Sequence, residues 1–271
     1  MSGLSARRTE RRNRNVHEVL EDFEHRTTKQ SNRGINLERC RMARPIKTEQ
    51  ILNLQEAIKD TAWRLIAESG APALSLRAIA RALKITAPAI YNYFSDRDAL
   101  VTALTIDAFT SFGDVQLRAR DSYPSSQPLE RLQAIGLAYR HWALSYPQRY
   151  QLIFGTPIPG YEQQQMAIIP SATRSISALV SVIEDIRIAG KLKTEEFPLP
   201  QEESATGLSP LNTCTRNYHM VSHGVALIVW SRVHGLVSLE IGGRIPPFGV
   251  SGETLYTYEL QSTARQFIQE E

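Results

Sequence analysis

The chain has 271 residues, a formal net charge of +3, 42% hydrophobic residues and only two cysteines, Cys40 and Cys214. That length supports two domains with buried cores, and two distant cysteines make neither a disulfide framework nor a zinc spacing, as expected in a reducing cytoplasm. The longest uninterrupted apolar run, residues 225–230, is far too short to cross a bilayer, and no apolar stretch follows the N-terminal arginines as a secretory signal requires.

The charge is unevenly spread. Residues 1–47 carry twelve Lys/Arg against six Asp/Glu, so the rest of the chain is net acidic. A basic front end directs any polyanion to the N-terminal part, although the same composition also reads as a flexible basic arm. Only residues 16–23 in it suggest a short amphipathic turn. Met42-Ala43-Arg44-Pro45 resembles a natural beginning, either an alternative start or the join between an arm and the folded protein.

From Thr48 a helical period takes over. Ile51, Leu54, Ile58, Ala62, Leu65 and Ile66 fall on one face, and Gly70 is placed to end that helix in the left-handed conformation. Ser75 can cap a short second helix carrying Leu76, Ile79, Ala80 and Leu83. Thr86 can cap a third, with Pro88 in its first turn. Ser95 with Asp98 three residues on predicts a capping box opening a long fourth helix to about Arg120. Leu129, Leu132, Ile135, Tyr139, Trp142 and Tyr146 then mark a helix stopped at Pro147, followed by a short one over 148–154. Ile176, Leu179, Val180, Ile183 and Ile186 mark another. Residues 191–212, rich in Pro and Gly, read as a mobile loop, and the last helices span about 213–241 and 252–269. Neither a period-two pattern nor an internal repeat occurs, so the fold class is all-α. Its parts are a basic arm over 1–47, a three-helix domain over 48–108 with a connecting helix to about 120, and a larger helical domain over 128–271.

Two short helices joined by a tight turn and braced by a longer one form a helix-turn-helix, whose second helix enters the major groove of DNA. Within residues 74–94, Ile79, Ala80, Leu83, Ile85 and Ile90 make a small core, leaving Arg77, Ala87, Pro88, Ala89, Tyr91 and Tyr93 outward. Ile90-Tyr91-Asn92-Tyr93-Phe94 followed by Arg97 resembles the recognition helix and next helix start of the TetR family, and the likeness runs over about 48–108. It implies a base-reading role for Arg77 and a groove-facing helix start at Thr86, Ala87, Pro88 and Ala89. It also implies phosphate or thymine-methyl contacts for Tyr91 and Tyr93, and a phosphate contact for Arg97 at a helix N-terminus. The plainer alternative makes Tyr91 and Tyr93 braces and Arg77 a solvated charge; Phe94 is core. Lys84 departs from the family, which usually has Gly in this turn. A non-Gly residue at positive φ costs about 1 kcal/mol, so a slightly different turn is expected.

Further on, Trp230-Ser-Arg-Val-His234-Gly235 resembles the Trp-x-x-x-His-Gly signature of one C-terminal domain type of TetR-like regulators, as does the segment 139–154. That implies a small-molecule effector. Tyr139, Trp142, Tyr146, Phe154, His223 and Trp230 are the pocket candidates, with ordinary core packing as the alternative. His219 and His223 have the spacing of two metal ligands, but no carboxylate lies between them and no Cys cluster is near. They read better as core, interface or pocket histidines, and neither metal nor cofactor is expected. Gly224, Ser231, Gly235, Ser238 and Gly242 form a small-residue strip along the penultimate helix. Helical glycine costs about 1 kcal/mol against alanine, so close approach of another helix, internal or from a second subunit, is the expected return.

Together these features read as a cytoplasmic, homodimeric, non-enzymatic transcription regulator with no membrane association. It is expected to repress from a palindromic double-stranded operator until a small molecule releases it. A DNA-binding architectural protein without effector is the rival, opposed by the near-neutral charge and the large aromatic second domain. A helical enzyme is the other, opposed by the lack of a nucleophile–base pair, carboxylate dyad, phosphate-cradling Gly loop or metal set.

Overall fold

A computed structural model describes residues 47–161, 164–193, 218–246 and 249–269. The expected arm over 1–46, most of the loop expected over 191–212 and the start of the penultimate helix lie outside the described residues. The chain divides into two compact units, Met1–Gln50 and Ile51–Glu271. Of the first, only the opening of one helix is described; all the packing below belongs to the second.

The described residues form nine α-helices: α1 (Lys47–Ser69), α2 (Leu76–Leu83), α3 (Ala87–Tyr91), α4 (Arg97–Asp121), α5 (Pro128–Ser145), α6 (Pro147–Phe154), α7 (Gln165–Ile188), α8 (Met220–Ile241) and α9 (Gly252–Phe267). Extended pairing among them is limited to one antiparallel bridge, Leu192 to Ile268. The protein is all-α.

Helix ends show where local chemistry decided. Gly70 leaves α1 at φ +79° and ψ 158°, an extended positive-φ conformation instead of the expected left-handed one, and leads into a single 3-10 turn, Ala71–Ala73. Ser75 and Thr86 occupy the N-cap positions of α2 and α3, but neither hydroxyl bonds to its helix. The capping box expected from Ser95 and Asp98 is replaced. Asp96 is the cap of α4: its Oδ1 accepts from the Ala99 amide at 2.7 Å, and the Ser95 hydroxyl donates to its Oδ2. A carboxylate is the stronger acceptor at the positive end of a helix, and these bonds hold the Asp96 pKa below its usual value.

Buried side chains form three clusters. The first joins α1, α2, α3 and the start of α4 around Ile58, Ile79, Ile90, Leu100 and Leu104, all fully buried. The second, along α5, α7 and α8, holds Ile135, Val182, Ile183, Ile186, Val225 and Ala226. The third gathers Phe112, Tyr139, Trp142, Tyr150, Val237 and Tyr256. Helix α4 runs from the first cluster into the body, where it packs on α7 and α5. Gly113 makes this possible, since a Cβ there would lie only 3.1 Å from the Cα of Ser175 on α7.

Although no uninterrupted apolar run is long, α7 and α8 are each long and apolar enough by composition to cross a membrane. On α7, Ala178, Leu179, Val180, Val182, Ile183 and Ile186 are all buried. Helix α8 differs: Met220, Leu227, Ser231, Gly235 and Leu239, which share one face, are exposed.

Candidate DNA-reading head and effector cavity

The reading head is built on α2 and α3. Leu76, Ile79 and Ala80 of α2 and Ile90 of α3 point inward with Phe94, which leaves Arg77, Arg81, Lys84, Thr86, Pro88 and Tyr91 exposed. Ala87, Ala89 and Tyr93 are half-buried, and Ala87 and Tyr93 pack on the head's core. Three exposed basic side chains on and just after α2 suit a polyanion.

The turn between the two helices is made at the lysine itself. Lys84 adopts the left-handed conformation itself, φ 54° and ψ 38°, the one non-glycine residue at positive φ among those described. Its amide and that of Ile85 return to the Ala80 and Arg81 carbonyls, a closed helix end that offsets the backbone strain.

Arg97, expected to reach phosphate, has its guanidinium already engaged. Nε donates to the Leu74 carbonyl at 3.1 Å and Nη2 to the carbonyls of Ala71 and Pro72 at 3.3 Å, with Asp98 beside it. It pins the 3-10 turn to the start of α4, bonding the Pro72 and Leu74 carbonyls and sharing that of Ala71 with the Leu74 amide.

In the body, the six pocket candidates do not share one cavity. Tyr139 and Trp142 are core, 2% and 1% exposed. The Trp142 Nε1 donates to Ser111 Oγ, and Tyr139 Oη lies 2.8 Å from His234 Nδ1. Their polar atoms found partners inside the protein, which makes them packing residues. Tyr146 is exposed, its ring under the Arg149 guanidinium. His223 turns back to the His219 carbonyl and the Tyr218 ring, and His219 itself caps α8 by accepting from the Val221 amide. Of the six, Phe154 and Trp230 line one apolar cavity of the body.

That cavity measures about 220 Å³. Its walls are Phe109, Phe112 and Gln116 of α4, Phe154 of α6, Trp230 of α8 and, on α7, Ile169, Ala172, Thr173, Ser175, Ile176 and Leu179. Phe154 sits edge-on to Phe109 and Phe112 and tilted to Trp230, at ring distances of 5.6 to 5.9 Å. The α4 contribution was legible in principle, since Phe109, Phe112 and Gln116 recur at helical spacing. The α7 contribution was not, because nothing in a run of serines and alanines marks one threonine.

Behind this wall lies a polar cluster that sequence reasoning missed. His234 Nδ1 faces both Tyr139 Oη and Tyr150 Oη, and Tyr150 also bonds Ser238 at 2.6 Å. Burial pushes both tyrosine pKa values up and that of His234 down, each toward the neutral form. This removes Ser238 from the small-residue strip, because its hydroxyl serves the interior. Gly242 leaves it as well: it ends α8, with Gly243 at φ +61° and the Arg244 amide bonded to Leu239. Gly224 is half-buried, whereas Ser231 and Gly235 stay exposed, and a Cβ on Gly235 would meet nothing within 4 Å.

A compact head presenting a short helix, joined to a larger helical body that holds an apolar cavity, is the architecture of a DNA-binding regulator. Residues 58–104 match the family described as bacterial regulatory proteins, tetR family, and residues 132–263 match the tetracyclin repressor-like, C-terminal domain. The HTH-type transcriptional regulator Rv1816 of Mycobacterium tuberculosis (strain H37Rv) is 31% identical over 195 residues, 70% of this chain and 82% of the relative. The solved structure of SCO4313 superposes with a TM-score of 0.64 at 33% identity, covering 80% of this chain and 98% of that one. A TetR family transcription regulator from Marinobacter aquaeolei VT8 shares the fold, with a TM-score of 0.56 at 14% identity over 82% of this chain and all of its own. The chain belongs to the TetR family of DNA-binding transcriptional regulators, which act without enzymatic chemistry.

Proposed function

We propose that the protein is a ligand-responsive repressor, a cytoplasmic homodimer that holds two heads on a palindromic operator and releases it when a small molecule enters the cavity. The observation that carries this reading is the course of α4. Its first turns, with Leu100, Val101 and Leu104, fill the core of the head, and Phe109, Phe112 and Gln116 further along wall the cavity. A ligand that fits one placement of α4 better than another shifts the population of head positions, and by linkage the affinity for DNA. Helix α6 adds a second connection. Leu152 packs on the head's core, Arg149 lies 5.3 Å over the Trp63 ring of α1, and Phe154 walls the cavity. The domain limits of 48–108 and 128–271 fit this division of labour, with α4 crossing from one to the other.

In this reading Arg77, Thr86, Ala87, Pro88, Ala89, Tyr91 and Tyr93 meet the DNA, and the uncharged outward face of α8, with Leu227, Ser231, Gly235 and Leu239, meets its copy across a two-fold axis. Repression as the sign follows the family's general habit. A genomic footprint of the purified protein tests the core of this, with a palindromic protected site as the expected result. Tyr91→Ala should then lower operator affinity about tenfold or more while leaving the melting temperature unchanged. Full operator affinity in that variant removes Tyr91 from the interface. Gly235→Leu should give monomers in sedimentation at micromolar concentration; a wild-type dimer would place the interface elsewhere.

A further inference from the structure

Helix α7 carries five hydroxyl side chains, and four are satisfied in the same way. Ser171, Ser175, Ser177 and Ser181 each donate to the carbonyl three residues back, at 2.6 to 2.9 Å. Thr173 does not. It is 2% exposed, lines the cavity, and its Oγ1 has no hydrogen-bond partner among the described residues. A buried hydroxyl without a partner is costly, and such exceptions in otherwise satisfied cores call for an explanation. Two other polar groups of the wall are already bonded within the protein: Gln116 Nε2 donates to the Ser175 carbonyl at 2.7 Å, and Ser175 Oγ to the Ala172 carbonyl.

No wall residue is charged, and four aromatic rings face the space. An ion entering it would lose its hydration without a counter-charge, whereas an uncharged ring would exchange water for apolar contact. A dry cavity of about 150 Å³ takes a benzene ring, so 220 Å³ fits a ring with a short substituent, about eight to twelve non-hydrogen atoms.

We infer that the cavity takes an uncharged aromatic ligand of this size carrying one hydrogen-bonding group, and that Thr173 Oγ1 bonds that group. The inference rests on the ligand-responsive reading above and names the chemical class of the effector. The hydroxyl orients the ligand, and the rings of Phe109, Phe112, Phe154 and Trp230 hold its apolar part.

Calorimetric titration of the intact protein with 2-phenylethanol, ethylbenzene and phenylacetate separates the elements of the claim. The two neutral probes should bind, and phenylacetate should not. Thr173→Val should weaken 2-phenylethanol about tenfold while ethylbenzene binds as well or better, the signature of coupling between the two hydroxyls. The valine variant should melt no lower than wild type, which keeps misfolding out of the result. Ile176→Trp should fill the space and abolish binding of both neutral probes. Equal shifts for the alcohol and the hydrocarbon in Thr173→Val overturn the role of Thr173 and leave water as its partner. Binding of phenylacetate as tight as the alcohol, or no binding by any probe, overturns the ligand class. Operator release is read separately. If 2-phenylethanol binds without loosening the footprinted DNA, the ligand class stands and the ligand-responsive reading fails. If no probe binds while an unrelated compound releases the DNA, the reading stands and the class falls.

Discussion

The head and the body handle their polar groups in opposite ways. In the head the fully buried side chains are aliphatic, and Arg77, Arg81 and Lys84 stand at the surface. In the body polar groups are threaded through the interior. Glu184 is 7% exposed and accepts from Arg187 and from Ser222 of α8, Tyr256 donates to the Gly136 carbonyl, and His234 joins two tyrosines. An aliphatic core with a polar rim makes a rigid object whose outward groups are free to meet a partner. Interior hydrogen bonds instead fix which helix faces which, because a misplaced pair leaves a buried group unsatisfied. In the reading proposed above, the head moves as a piece and the body registers what fills it.

The largest effect of disturbing this contrast is expected in the body. Glu184→Gln keeps the shape but removes the charge that Arg187 and Ser222 bind, and should cost about 2 kcal/mol near neutral pH. Its pH dependence follows from the carboxyl pKa, which the Arg187 and Ser222 bonds pull down from the ordinary glutamate value to about 2. A group with a depressed folded pKa contributes fully above the unfolded value and loses its contribution as pH falls through the folded one. The gap in melting temperature between wild type and Glu184→Gln should therefore be constant above pH 5.5 or so and close between pH 4.5 and about 2. A gap that persists at the acid end would show that shape, not charge, holds α7 to α8 at this point.

The same contrast explains what could be read from the residues alone. The head follows from helical periodicity and capping chemistry, since its side chains act through their own helix or the next, and so α1 to α4 fall where the pattern puts them. What failed there was local: Asp96 took the cap from Ser95, because both residues suit the role and only geometry ranks them. In the body the aromatic stripe on α5 reads as a pocket, but Tyr139 and Trp142 face His234 and Ser111, residues 95 and 31 positions away. Pairings at such separation leave no periodic trace. On the small-residue strip of α8, the bond from Ser238 to Tyr150 of another helix is invisible for the same reason.

A smaller effect is expected at Arg97, and it decides between two roles. If the guanidinium serves the 3-10 turn, Arg97→Ala should destabilise the head by about 1 kcal/mol, because three carbonyl contacts are lost from a partly exposed site. Operator binding should weaken in proportion to unfolding, with the salt dependence unchanged. A phosphate contact would give the reverse: an unchanged melting temperature and a slope of log affinity against log salt shallower by about one unit. Titrating operator DNA at several salt concentrations, with a thermal melt on the same samples, separates the two.

The smallest effect, and the only gain, is expected at Lys84. Its left-handed backbone costs an L-residue with a Cβ about 1 kcal/mol or more, a cost glycine does not bear. Glycine also makes the unfolded chain more flexible, which returns part of the benefit. Lys84→Gly should therefore stabilise by about 0.5 kcal/mol, a rise of a few degrees at most. The turn hydrogen bonds from the Lys84 and Ile85 amides are main-chain bonds and survive the change. What does change is charge, since an exposed lysine is lost from the basic surface it shares with Arg77 and Arg81. Affinity for random-sequence DNA at low salt should fall while the melting temperature rises, two movements in opposite directions from one substitution. A lower melting temperature instead would mean that the lysine side chain, and not only its backbone, helps to hold the turn between α2 and α3.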